Sequence, residues 1–277
     1  MSTETRRFAR FRRTRTAKEA EQVMTLTSHL RELRNRLIVS LVAIMLGGVV
    51  GLVYYEEIVE LLQKPYNDAA AELGLEAFVT IQGITAPFTF NLIIGLVVGV
   101  IIASPVWLLQ IWSFVTPGLH RAERRWAIVF SISAGPLFIA GAALAYFVLP
   151  VGIKVLLNFT PEGVTNLNDL AGYLQFILRL LLVFGVAFEL PVFLVLLNLA
   201  GVVTGEKLGR WRRGAIFGIF VFAAVATPTG DPITMLLLAV PMWLLFEVAV
   251  VICKFRDRRR ADEPDYEQWA DDEQSPL

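Results

Sequence analysis

Cysteine is almost absent from this 277-residue chain: Cys253 stands alone, so no internal disulfide can form. Histidine is nearly as scarce. His29 and His120 lie far apart, and a metal centre needs three or four side-chain ligands, so no metal or other cofactor is expected. No serine-nucleophile motif appears either, and an intramembrane enzyme ranks last among the readings. An internal repeat is missing, which argues against the inverted-repeat design of many secondary transporters. A cleavable leader is not expected, because the first apolar run starts near Leu37 behind a long basic segment and no small-residue cleavage site follows. The pairs Arg6-Arg7 and Arg12-Arg13 read as part of a solvated basic tail.

Apolar residues are abundant. They make up 56% of the chain, with mean hydropathy +0.60, and they gather in long runs nearly free of charge. Lipid offers no hydrogen-bond partners, so such runs satisfy their backbone as helices; a β-barrel would alternate apolar and polar residues. Four runs are long enough to cross a bilayer: Leu37 to Tyr55, Phe88 to Trp112, Trp126 to Leu149 and Tyr173 to Leu199. Two shorter ones follow, Gly214 to Ala226 and Thr234 to Cys253, joined by the turn signal Thr227-Pro228-Thr229-Gly230-Asp231-Pro232. The expected fold is all-α and polytopic, with six transmembrane helices of which the last two are short. Residues 25–253 form the membrane domain, between a basic tail at 1–24 and an acidic, disordered tail at 254–277.

Charge sets the orientation. Of 25 Lys and Arg, 22 lie in the two tails and in the loops after the second and fourth spans. By the positive-inside rule these segments, and hence both termini, face the cytoplasm. The long loop from Glu56 to Pro87 falls outside. Its start has helical spacing, with Pro65 expected to end an interfacial helix.

Three acids stand out. Glu32 and Arg36 are i,i+4 neighbours just before the first span; they read either as a surface ion pair or as a carboxylate displayed to a cationic ligand. Glu123, in the second cytoplasmic loop, is either a helix-dipole partner or a second such carboxylate. Glu189 lies deep in the fourth span beside Pro191, where an ionised carboxylate is costly; it reads either as a functional site with a polar partner or as a protonated acid bonded to a backbone carbonyl freed by a proline kink. Arg179, nearer the outer end, can snorkel to the headgroups. Pro105, Pro136, Pro191 and Pro241 favour kinks within spans. On these grounds alone, a small-molecule or ion transporter using Glu189 stays open beside a receptor.

The ordered motifs resemble TatC, the multispanning core of the twin-arginine protein translocase. They are His29-Leu30-Arg31-Glu32-Leu33-Arg34-Asn35-Arg36; Ser104-Pro105-Val106-Trp107 through Gln110-Ile111-Trp112-Ser113-Phe114 to Pro117-Gly118-Leu119 and Glu123-Arg124-Arg125; Ala145-Tyr146-Phe147; Pro161-Glu162-Gly163-Val164; Phe184-Gly185-Val186-Ala187-Phe188-Glu189-Leu190-Pro191; and Thr227-Pro228 with Asp231. The resemblance covers roughly Thr25 to Cys253. It implies a concave, glove-like bundle in the cytoplasmic (inner) membrane that binds twin-arginine signal peptides of folded cargo. It further implies assembly with TatA/TatB-type single-span partners and further copies of itself, export driven by the proton-motive force, and no nucleic-acid role. It assigns Glu32, Arg34 and Glu123 to the signal-peptide site, places Phe114 and Leu119 in the same loop, and links Glu189 to partner contact. The family often has a basic residue near the start of the second span, where this chain has Asn91.

Overall fold

A computed structural model describes residues 26–74, 78–115, 121–159, 167–227 and 231–261. The helices are α1 (Leu26–Val53), α2 (Tyr55–Glu72), α3 (Ala86–Ile102), α4 (Ser104–Val115), α5 (Arg121–Asn158), α6 (Leu170–Phe188), α7 (Leu190–Leu199), α8 (Gly205–Arg210), α9 (Arg212–Ala226) and α10 (Pro232–Ala261). The expected basic tail before Leu26 and the acidic residues after Ala261 lie outside the described residues.

Four stretches are long and apolar enough to cross a bilayer: Leu30–Val53, Ile128–Asn158, Leu170–Leu199 and Pro232–Arg259. A fifth forms when α3 and α4 are taken together as one span bent by 58°. With 15 residues, α9 reaches only about 22 Å, short of a hydrocarbon core of about 30 Å. The polytopic all-α reading holds, with α9 as the short member. The last helix is longer than its apolar run, because α10 continues past Cys253 through a basic turn to Ala261.

Each bend has a local cause. Pro105 cannot donate to the Ile101 carbonyl four residues back, so the ladder fails at Ala103, and the Trp107 indole donates to the neighbouring Val100 carbonyl at 2.9 Å. Pro191, at the second position of α7, breaks the fourth span at Glu189, which ends one helix and opens the next.

Pro65 behaves differently from the sequence expectation. It does not end α2, which runs on to Glu72. Proline at 65 frees the Leu61 carbonyl, and the Tyr146 hydroxyl donates to it at 3.1 Å. Tyr173 donates to the neighbouring Leu62 carbonyl at 2.8 Å. Two tyrosines from α5 and α6 thus hold this helix down. The loops at this end are tied by a three-residue parallel pair, Phe78–Thr80 (β1) with Leu167–Asp169 (β2), and Lys154 pairs with Glu72.

The bundle is uneven. In the fourth span 56% of the residues are buried, in the first only 11%, so the fourth is central and α1 peripheral. What holds α1 is a glycine seam. Gly47, Gly48 and Gly51 press on Gly95 and Gly99 of α3, where a Cβ on Gly99 would sit 2.4 Å from the Ile44 carbonyl oxygen. Small residues let helix backbones approach, which is the packing that works where lipid removes the hydrophobic drive.

Candidate functional site

Glu32 and Arg36 sit on the first turns of α1, before its apolar run. The helical i,i+4 spacing brings them together as the sequence anticipates. Both Arg36 Nε (3.0 Å) and Nη2 (2.6 Å) donate to one oxygen, Glu32 Oε1. A third guanidinium donor, Nη1, reaches the Gln110 carbonyl on α4 at 3.4 Å. Oε2 of Glu32 is left outside this pair, and both side chains remain about one quarter exposed.

These residues line an open groove of about 510 Å³, bounded by Arg31, Glu32, Asn35, Arg36, Val39 and Gln110. It combines one carboxylate with three guanidinium or amide groups and a stretch of helix backbone. A planar guanidinium from a ligand can be held there by Glu32, in competition with Arg36. Sequence reasoning missed Gln110, which lies 74 residues from Arg36 and contributes only through its backbone oxygen.

The remaining candidates divide. Arg34 is exposed, donates to Asn35 Oδ1 at 3.4 Å, and is not among the residues lining the groove. Phe114 lies half-buried in the last turn of α4. Glu123 falls in the first turn of α5. Leu119 lies outside the described residues. Asn91 is half-buried on α3.

Glu189 occupies the break between α6 and α7. It is buried, with 8% of its surface exposed, and neither carboxyl oxygen closes a hydrogen bond. The side-chain donor facing it is the Trp112 indole of α4, itself 8% exposed and equally without a partner of standard geometry. Its oxygens are sealed, so an outside helix reaches this carboxyl only after side chains move. Arg179, ten residues earlier, is exposed on the same span.

A second polar cluster lies where α7, α8 and α10 meet. Asn198 donates to the Val203 carbonyl and to Asp257, Asp257 accepts from the Gly205 amide at 2.6 Å, and Arg256 donates to Asn198 Oδ1 at 2.7 Å. Its members satisfy one another, so it reads as a structural clasp. Glu247 of α10, which stands out only weakly in the sequence, is tied to Arg212 and Trp243. Among the described residues no cluster of His, Cys, Asp or Glu could hold a metal ion.

Apolar spans, one of them bent by 58°, a charged groove and a sealed carboxyl within a span define a polytopic helical membrane protein. Residues 28–241 match the family described as Sec-independent protein translocase protein (TatC). The chain is 45% identical to the Sec-independent protein translocase protein TatC of Frankia casuarinae, over 96% of this chain and 76% of that protein. With the protein of the same name from Aquifex aeolicus the identity is 38%, over 86% and 98%. A solved structure, the twin-arginine translocase receptor TatC, superposes with a TM-score of 0.70 at 37% identity, covering 83% of this chain and all of that one. The chain belongs to the TatC family, whose members are protein-translocase components and not enzymes.

Proposed function

We propose that this chain is the receptor subunit of a twin-arginine translocase, binding the signal peptides of folded cargo in the groove around Glu32. The observation that carries this is the Glu32 carboxylate, held half-open in a groove whose other charges are guanidinium groups. A ligand arginine that replaces the internal one loses water as Arg36 regains it, so the two desolvation costs offset. Two adjacent arginines call for two separated acids. Glu123, in the first turn of α5, supplies the second, with Arg34, Phe114 and Leu119 completing the surface.

The groove faces the cytoplasm of the inner membrane, and both termini lie on that side. The charge asymmetry supports this orientation: Lys and Arg concentrate at the end where α1 begins and α10 finishes. TatA/TatB-type single-span proteins dock against the spans near Glu189, further copies of the chain complete the complex, and the proton-motive force drives export.

Photocrosslinking in inner-membrane vesicles tests the receptor role. A peptide bearing paired arginines should crosslink to α1 near Glu32, and its paired-lysine counterpart should do so markedly less, because lysine lacks the planar fork. Equal capture of both peptides would refute the groove as a twin-arginine site. Orientation is tested with single cysteines in a Cys253→Ser background. A cysteine at Asp231 should react with an impermeant maleimide added outside spheroplasts, and one at Arg258 only after lysis; labelling of both from one side would overturn the topology.

A further inference from the structure

Trp112 and Glu189 are two buried polar groups on different elements, each lacking a hydrogen-bond partner and facing one another. Helix α4 packs mainly on α1 and α5. It reaches the α6–α7 break through the Trp112 side chain, whose ring also lies 6.2 Å from that of Phe193 on α7. An indole N–H is a donor only and a carboxylate an acceptor only, so the two are complementary. Leaving both unpaired in an apolar interior costs more than the small side-chain movement that would join them.

The same two turns of α4 carry the other end of a chain of contacts. Gln110 accepts from Arg36, which is bound to Glu32 in the groove. Two residues on, Trp112 faces Glu189. Groove and intramembrane carboxyl are therefore joined through one short, proline-bounded helix, which can shift as a unit about the Ala103 break.

We propose that Trp112 is a positioning residue: its indole N–H latches Glu189 closed inside the bundle, and occupation of the Glu32 groove opens the latch. The proposal rests on the receptor reading above. A ligand arginine that takes Glu32 releases Arg36, the hold on Gln110 loosens, α4 moves, and Glu189 becomes available to a polar group of a visiting helix.

A lipid-soluble carbodiimide, which couples to carboxylic acids accessible within the membrane, reads the latch directly. The full chain in vesicles is labelled, and adducts at Glu189 are counted by mass spectrometry, with Glu189→Gln as the blank. Trp112→Phe should speed labelling several-fold. So should replacing Trp112 by 3-benzothienylalanine, which keeps the ring shape and lacks the N–H. A paired-arginine peptide should speed labelling of the unaltered chain and add nothing to the Trp112 variants. If the isosteric variant labels at the parental rate, the tryptophan merely fills space and the latch is refuted. If the peptide crosslinks in the groove yet leaves labelling unchanged, the link from groove to latch is refuted. A peptide that fails to crosslink counts against the receptor reading instead, while the variant arm still decides the latch.

Discussion

Glu32→Ala should weaken binding of a paired-arginine peptide by roughly 10- to 100-fold, measured by titration of a fluorescent peptide against the purified chain. A hydrogen bond to a charged group contributes about 1.5–3 kcal/mol, and about 1.4 kcal/mol is a factor of ten. The lower figure suits a carboxylate one quarter exposed to solvent, where screening is strong. The structure adds a control. Arg36 occupies Glu32 in the free chain, so Arg36→Gln removes an internal competitor and should not reduce affinity. A loss with Arg36→Gln as large as with Glu32→Ala would mean that the pair acts as a structural unit and Glu32 is no ligand. Melting temperatures of both variants separate a binding defect from a folding one.

Gly135→Leu should leave little folded protein. Gly135 of α5 lies against Pro105, and even a Cβ there would come within 2.4 Å of Pro105 Cα and 2.8 Å of its nitrogen. Those are backbone atoms at the bend of the second span, and they cannot swing aside as a side chain can. Overpacking of this kind typically costs about 1–3 kcal/mol for small additions, and a leucine exceeds that. Gly135→Ala should show the smaller loss, with α5 pushed off α4. Gly214 on α9 has open space where its Cβ would be, and Gly214→Leu should keep the monodisperse fraction in detergent near that of the parent. Equal behaviour at the two positions would show that the contact with Pro105 does not constrain the fold.

Much of this architecture was legible because bilayer physics writes long signals into sequence. Uncharged runs marked the spans, basic loops marked one face, Pro105 marked the bend at Ala103, and Pro191 marked the helix break at Glu189. The i,i+4 pair of Glu32 and Arg36 formed as helical spacing requires. What escaped depends on partners distant in the chain. Pro65 read as a stop because the tyrosines that take up the freed carbonyls, Tyr146 and Tyr173, lie 85 and 111 residues away from Leu61 and Leu62. The β1–β2 pair joins two loops far apart in the chain with no strand-like run in either. Glu189 announced itself as an isolated acid among apolar residues, but nothing local distinguishes Trp112 from the other tryptophans. The Asn198–Asp257 clasp was hidden likewise, since Asp257 reads as one more charge in a tail.

The glycine seam between α1 and α3 has a further consequence for how the protein is made. Only α2 and β1 separate the two helices in the chain, and the seam itself lies between Ile44 and Gly99. This pair can close in the bilayer while the rest of the chain is still being synthesised, because the entropy of loop closure grows only slowly with the length of the connection. The final helix differs. Gly205 packs directly on the backbone at Cys253 and Lys254, and the clasp needs Arg256 and Asp257. The chain therefore has an early pair of helices that seals through close backbone packing and a later part that locks by polar contacts, which form only once α10 has been made.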